Sequence, residues 1–176
     1  MIPLNAVDLD GTLLRTDSFR ALVVRHLDPR LVALAGARLL RGLDRESFAA
    51  AVTGHLAPVL ADVALMERFA RELESRLDPE VLALVRARAG EGAVTVVLSA
   101  SPEEYVAPLA HRLGFEGAGS RWRDGRYLHC HGERKRAVLL ERFPPGLYRY
   151  QFAIADSRFD EPLLALFAES VRHRRS

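Results

Sequence analysis

Two carboxylates lie two residues apart near the start of the chain, in the segment AVDLDGTLL. Asp8 and Asp10 interrupt an apolar run, and burying an unpaired carboxylate costs considerable free energy. A bound metal ion accounts for such a pair better than structural accident does, because Mg²⁺ prefers hard oxygen ligands. The segment therefore predicts a magnesium site, to which Asp156 adds a third carboxylate from the end of a later apolar run.

Ser99 and Lys135 also have side chains suited to chemistry. Ser99 directly follows the β-branched run AVTVVL. Lys135 is the only lysine among 25 lysine and arginine residues. The ammonium group of lysine is a compact point charge, whereas the guanidinium group of arginine is planar and forked. The one retained lysine therefore indicates a site that needs an ammonium group; the alternative is that it was retained by chance.

The elements that must position these residues alternate between strands and helices, which predicts an α/β fold. We expect a Rossmann-like three-layer core with a mainly parallel sheet, in which ligands bind beyond the carboxyl ends of the strands. Asp8, Ser99 and Asp156 fall at such ends. The helical pattern after the first strand is too long for an ordinary crossover, so part of it is expected to form a lid. We assign residues 1–16 and 84–176 to a catalytic core and residues 17–83 to a helical cap.

Hydrophobic periodicity and turn residues predict the individual elements. Ser101 is expected to cap a helix that begins at Pro102 and ends at Gly114. The Asp-Gly pair in RWRDGRYLH predicts a hairpin. The segment SVRHR is predicted to form an edge strand, and the run VRHRRS is predicted to be a solvated end. The other predicted strands are Asn5–Leu9, AVTVVL, Glu116–Ser120 and Tyr150–Ala155, and the other predicted helices lie in Asp17–Ala89, Arg134–Phe143 and Pro162–Ala168.

Composition excludes several classes of protein. With 49% hydrophobic and 27% charged residues, the chain is expected to fold as a soluble globular protein. A formal charge of +2 argues against a nucleic-acid partner. Cys130 stands alone and no leader segment is visible, so we expect a cytoplasmic protein. The most apolar stretch, Leu31–Leu40, contains Arg38 and is too short to span a membrane.

Four segments in order resemble the motifs of the haloacid dehalogenase superfamily: AVDLDGTLL, VVLSAS, the lysine in HGERKRAVLL, and AIADSRFDEPLL. The helical insert after the first motif looks most like the phosphoserine-phosphatase-like branch, which has a small α-helical cap. Ala155 departs from the glycine that relatives commonly have at this position. An acid two residues after Asp8 favours phosphoryl transfer over dehalogenation.

The resemblance implies a magnesium-dependent phosphatase that acts on a small phosphorylated metabolite. Asp8 would form an aspartyl phosphate, and Asp10 would serve as general acid and then general base. Lys135 would neutralise the transferring phosphoryl group. The implied phosphate contacts are Gly11, Thr12, Ser99, Ala100 and Lys135; the implied metal ligands are Asp8, Asp10 and Asp156, with Asp160 orienting them or holding Lys135.

Two other functions remain open at this stage. The chain could be a phosphotransferase or mutase that passes the phosphoryl group to an organic acceptor. It could also be a catalytically silent protein that binds a phosphorylated metabolite, although the intact set of motif residues argues against this.

Several further residues have both a functional and a structural interpretation. His129, Cys130 and His131 suggest a transition-metal site, but neighbouring strand residues point to opposite faces, which favours a hairpin. A second group could contact the substrate or could instead be solvated or packed; it comprises Arg38, Arg41 and Arg45 on the lid, Arg15 and Asp17 at its hinge, and Trp122 and Tyr127 at the hairpin.

Overall fold

The computed structural model of the protein describes residues 1–173. One sheet crosses this part of the chain, in the strand order β4-β3-β2-β1-β5-β6. Its strands are β1 (Ile2–Asp8), β2 (Val94–Pro102), β3 (Glu116–Arg123), β4 (Arg126–Leu128), β5 (Tyr148–Ala155) and β6 (Glu169–Arg172).

The central strand β1 pairs in parallel with β2 on one side and β5 on the other. Asp8 lies opposite Leu98 in this register, so the carboxyl ends of these strands meet at one edge of the sheet. β3 and β6 are also parallel to their inner neighbours, whereas β4 is antiparallel to β3. The predicted α/β fold with a mainly parallel sheet is therefore confirmed.

Helices occupy most of the chain between β1 and β2 and cover the sheet elsewhere. Asp17, Asp28, Asp44, Asp62 and Asp78 cap five of the helices by accepting backbone N–H groups in their first turns. The helices are α1 (Ser18–Arg25), α2 (Pro29–Leu39), α3 (Arg45–His55), α4 (Ala57–Leu60), α5 (Val63–Glu74), α6 (Pro79–Arg88), α7 (Glu103–Arg112), α8 (Glu133–Arg142) and α9 (Glu161–Leu164).

The two faces of the sheet bury separate apolar clusters, because successive side chains of a strand point to opposite sides. Val7 of β1 belongs to a cluster that includes Tyr105 and Leu109 of α7. Leu4 of the same strand belongs to a cluster that includes Leu139 of α8. A helical layer on each face gives the three-layer core.

The two chain segments that join the helical insert to β1 and α6 run side by side. The backbone N–H of Asp78 donates to the carbonyl of Leu13, and the N–H of Arg15 donates to the carbonyl of Arg76. The Arg15 side chain, one of the residues with both a functional and a structural interpretation, forms an ion pair with Asp78, with Nε 2.9 Å from Oδ2. Arg15 thus ties the entrance of the insert to its exit.

In the helical segment between β1 and β2, α5 packs against α7 of the core, and α6 runs through residues 83 and 84 and contacts β1. The division of the chain into a core and a cap at these residues stays a prediction. None of the helices in residues 1–173 combines the length and apolar character needed to cross a membrane.

Some element boundaries differ from those predicted. β1 begins at Ile2 and β5 at Tyr148, both earlier than expected. The expected helix from Pro162 is only a short turn, α9, preceded by a 3₁₀ turn at Arg158–Asp160. SVRHR does contribute an edge strand, β6, whereas the end of VRHRRS lies outside the described residues.

Candidate active site

Asp8 lies at the end of β1 and is almost fully buried. Its Oδ1 is 2.6 Å from Nζ of Lys135, and its Oδ2 accepts a hydrogen bond of 3.1 Å from the Thr12 hydroxyl. Both carboxylate oxygens are therefore held in place. A carboxylate fixed in this way at the floor of a cleft is suited to nucleophilic attack.

Asp10 is held by a different set of partners. Its Oδ1 accepts the backbone N–H of Ser18 at 2.6 Å, and its Oδ2 accepts the hydroxyls of Ser101 at 2.6 Å and Ser99 at 3.3 Å. Ser18 begins α1, so this contact links the helical insert to the first motif. The arrangement turns the Asp10 side chain toward the serines.

Ser101 is a site residue that the sequence analysis missed. It was expected to cap α7, but it lies in β2, and α7 starts at Glu103 without a side-chain cap. The signal was present in SAS, because residues two apart on a strand point to the same face. Ser99 and Ser101 therefore both reach Asp10, while the Ser101 hydroxyl also lies 3.2 Å from that of Ser18.

Gly11 and Thr12 shape the turn after β1. Gly11 has φ +91°, and a Cβ there would clash with the Asp156 carboxylate, so a larger residue would be strained and would displace that side chain. The Gly11 and Thr12 N–H groups donate to the carbonyls of Leu14 and Leu9. Both N–H groups are thus used inside the turn, and the contact of these two residues with phosphate stays a prediction.

A group of three carboxylates can hold a metal ion: Asp8, Asp156 and Asp160. One carboxylate oxygen from each lies within 4.8 Å of the others. Asp10, predicted as a metal ligand, is outside this group because its side chain faces the serines. Asp160, predicted to orient the ligands or to hold Lys135, belongs to this group, and its Oδ1 also lies 2.9 Å from Nζ of Lys135.

Burial determines the protonation behaviour of these residues. Burial is the largest effect on Asp8 and raises the pKa of its carboxyl group. The charge of Lys135 lowers this pKa and the charge of Asp160 raises it, and the net direction is upward. Burial also raises the pKa of Asp10, against the hydrogen bonds from Ser101 and Ser18 that lower it. For Lys135 burial alone would lower the pKa, but attraction to Asp8 and Asp160 outweighs it and keeps the ammonium charged.

A cleft of about 440 Å³ opens over these residues. Ser99 and Ala100 line it together with Lys135 and the carboxylates, and their contact with phosphate stays a prediction. Ser157, which follows Asp156, also lines it. The residues predicted from the motifs therefore converge on one cleft, apart from Gly11 and Thr12 beneath it.

The helical insert supplies the opposite wall of the cleft. Arg38 of α2 and Arg45 of α3 line it, together with Phe19 and Phe48, whereas Arg41 does not. An Arg45 N–H donates to Nε2 of His131 at 2.7 Å, which requires that nitrogen to be unprotonated, since arginine only donates. Two of the three lid arginines thus face the site.

His129 and His131 line the same cleft and stack with ring centroids 5.4 Å apart. Burial lowers the pKa of His129 to about 4, helped by His131, and burial also lowers the pKa of His131. Cys130 points to the opposite face, into the core, where burial raises its thiol pKa to about 12. These three residues do not form a transition-metal site.

Two other candidates have structural roles. Trp122 packs on Tyr127 across the hairpin, with centroids 5.4 Å apart, and its Nε1 donates to the Thr53 hydroxyl of α3. Neither aromatic lines the cleft. Asp17 does line it, while its carboxylate caps α1 by accepting the Arg20 N–H at 2.8 Å.

Comparison with known proteins shows a family match along most of the chain. The model of the haloacid dehalogenase-like hydrolase family matches residues 6–165. Protein CicA of Caulobacter vibrioides is 35% identical over 186 aligned positions, which cover 93% of this chain and 82% of CicA.

Solved structures show the same fold. A Bordetella pertussis protein of unknown function has 25% identity and a TM-score of 0.73, covering 97% of this chain and 89% of its own. A phosphoserine phosphatase from T. onnurineus has 21% identity and a TM-score of 0.52, covering 97% of this chain and 82% of its own. The latter likeness concerns the fold alone.

Proposed function

The chain belongs to the haloacid dehalogenase-like hydrolase family, and from that premise we propose that it is a magnesium-dependent phosphatase of a small phosphate monoester. One observation carries the proposal. Asp8 and Asp10 open onto the same cleft, one held by a buried ammonium group and the other by three hydrogen-bond donors. This pairing provides a nucleophile and a separate acid.

In the first step an oxygen of Asp8 attacks phosphorus and forms an aspartyl phosphate. The bond between phosphorus and the ester oxygen breaks, and the leaving oxygen takes a proton from Asp10. The raised pKa of Asp10 favours this role because an acid near neutral pH must keep its proton. Lys135 balances the negative charge that gathers around Asp8 during the displacement.

In the second step water attacks the phosphorus of the aspartyl phosphate. Asp10, now a carboxylate, accepts a proton from that water, and the bond from phosphorus to the Asp8 oxygen breaks. Inorganic phosphate leaves and Asp8 is restored. Ser18, Ser99 and Ser101 keep the Asp10 carboxyl in one orientation through both steps, because they hold its two oxygens.

The residues present fit Mg²⁺. Asp8, Asp156 and Asp160 offer hard oxygen ligands, and Lys135 is the only cation in contact with the group among the described residues. The three carboxylates carry more negative charge than the one ammonium group of Lys135 can balance. The repulsion between Asp160 and Asp8 is accordingly one of the causes that raise the pKa of Asp8. When bound, Mg²⁺ would supply positive charge beside the phosphoryl oxygens.

The test is an assay of the purified full chain on p-nitrophenyl phosphate and a panel of metabolite phosphates, with Mg²⁺ and with EDTA. We expect turnover that requires Mg²⁺ and is lost in Asp8→Asn, which preserves shape but removes the nucleophile. Asp62→Asn, at a helix cap outside the cleft, is the matched control. Undiminished turnover in Asp8→Asn would falsify the nucleophile assignment.

Labelled water distinguishes hydrolysis from transfer. Reaction in H₂¹⁸O should place one ¹⁸O in each released phosphate, because water attacks phosphorus in the second step. A phosphorylated organic acceptor in place of labelled phosphate would identify a phosphotransferase or mutase.

Magnesium binding can be measured without turnover. A ligand that binds only the folded state stabilises it by about 2.7 kcal/mol at a concentration of 100 Kd. We expect Mg²⁺ to raise the thermal unfolding midpoint of the wild-type chain and to have little effect on Asp156→Asn. An equal rise in both proteins would argue against the proposed ligands.

A further inference from the structure

The outer surface of α2 is apolar although it faces solvent. Successive helical residues are about 100° apart, so one side of α2 presents Pro29, Val32, Ala33, Gly36 and Leu39, and Leu40 continues it past the helix end. We call these six residues the apolar face of α2. Leu39 and Leu40 are 83% and 85% exposed. The hydrolytic mechanism leaves this face unused.

The inner side of the same helix accounts for its folding. Leu31 is buried, Arg38 lines the cleft, and α2 packs against α3. The packing of α2 against the rest of the protein therefore does not require its solvent-facing side to be apolar. Exposed apolar patches of this kind mark surfaces that contact another partner.

Two exposed arginines, Arg30 and Arg41, flank the apolar face. The segment from Leu27 to Leu43 contains a single acid, Asp28, and its third arginine, Arg38, lies on the cleft side of the helix. The Asp28 carboxylate is occupied, because it accepts the Leu31 N–H at 2.8 Å and lies 2.6 Å from Nε2 of His55. The apolar face is therefore flanked by two exposed arginines, and the acid nearest to it is bonded within the protein.

We propose that the apolar face of α2 docks this protein on the surface of an anionic lipid bilayer. An interfacial helix inserts apolar side chains among the acyl chains while basic residues attract lipid phosphates, and this surface has both components. A second copy fits less well, because two-fold pairing would bring the same arginines of both copies together. Arg38 also lines the cleft, so docking places the bilayer within about 10 Å, one helix diameter, of the cleft wall.

The experiment is flotation of the full chain with vesicles of phosphatidylcholine alone or of phosphatidylcholine and phosphatidylglycerol in equal parts. We expect binding to the anionic vesicles, weakened by raising the salt from about 0.1 M to about 1 M, where charges are screened within about 3 Å. Leu39→Ser with Leu40→Ser should lower the partition coefficient at least about tenfold, because the inserted apolar area is lost.

Controls separate docking from misfolding and from self-association. Val63→Ser removes a 73% exposed side chain outside this face and should leave binding unchanged. The double leucine variant and Val63→Ser should both retain the turnover and the circular dichroism spectrum of the wild type, since neither alters the cleft. The proposal is overturned if the wild type ignores anionic vesicles or if the double leucine variant binds them as well as the wild type. A dimer in sedimentation equilibrium that this variant dissociates, without vesicle binding, would instead assign the face to a second copy.

Discussion

The two walls of the cleft differ in how their charged residues are held. On the sheet side Asp8, Lys135 and Asp160 are buried and bonded to one another. On the insert side Arg45 is exposed, contacts neutral His131, and lies over the Phe159 ring with its guanidinium carbon 5.9 Å from the centroid. One wall has a rigid arrangement of opposite charges, and the other offers cations that a ligand can reach.

This difference indicates that the sheet wall carries out the reaction and that the insert wall chooses among substrates. Groups that transfer protons or attack phosphorus must stay in one geometry, and buried hydrogen bonds provide that. Groups that choose among substrates need access to solvent and to the variable part of the ligand. We therefore expect changes in the sheet wall to affect stability and kcat, and changes in the insert wall to affect mainly KM.

The largest effect is expected from Lys135→Met. It leaves Asp8 and Asp160 buried without their shared cation, and removing one partner of a buried ion pair typically costs about 3–5 kcal/mol. Urea unfolding in EDTA measures the loss, and turnover should also disappear. Arg136→Met, on the exposed side of α8, is the control. A stability equal to that of the wild type would contradict the account of the sheet wall.

Asp10→Asn is expected to reduce kcat by about 10²–10⁴-fold, because general acid–base catalysis typically contributes that much. The asparagine can keep at least part of the serine contacts, so KM and the unfolding midpoint should change little. Steady-state kinetics together with thermal unfolding test both statements. A normal kcat would remove Asp10 from the proposed mechanism.

Gly11→Ala tests whether the turn after β1 sets the position of Asp156. The added Cβ would meet the Asp156 carboxylate and would adopt φ +91°, so we expect a loss of about 1–2 kcal/mol and weaker Mg²⁺ binding. Gly36→Ala is a suitable comparison, since a Cβ there meets no atom within 4 Å. Equal magnesium affinity in the two variants would show that the turn tolerates the methyl group.

The smallest effect on stability is expected on the insert wall. Arg45→Gln should change the free energy of unfolding by less than about 0.5 kcal/mol, as exposed substitutions usually do. It should raise KM for esters that carry a second acidic group by roughly 10- to 150-fold, because a charge-assisted hydrogen bond is worth about 1.5–3 kcal/mol. Arg41→Gln, outside the cleft, is the control. A fall in kcat with unchanged KM would reverse the assignment of this wall to selection.

The sequence by itself determined the fold class and the floor of the cleft. Asp8, Ser99 and Asp156 follow apolar strand patterns, and the carboxyl ends of parallel strands necessarily meet at one edge of a sheet. Lys135 was marked by its rarity and by its motif. The strand ends needed only local periodicity and residue type, whereas the role of Lys135 also needed the family resemblance.

Tertiary structure alone decided which partners each of these residues has. Ser101 and the Ser18 N–H turn Asp10 away from the carboxylate group, and Asp160 joins that group instead. The same structure turned Arg38 and Arg45 toward the cleft and left the apolar face of α2 in solvent. Helical periodicity shows which residues share a side of a helix but not what that side faces, because this depends on how helices distant in sequence pack.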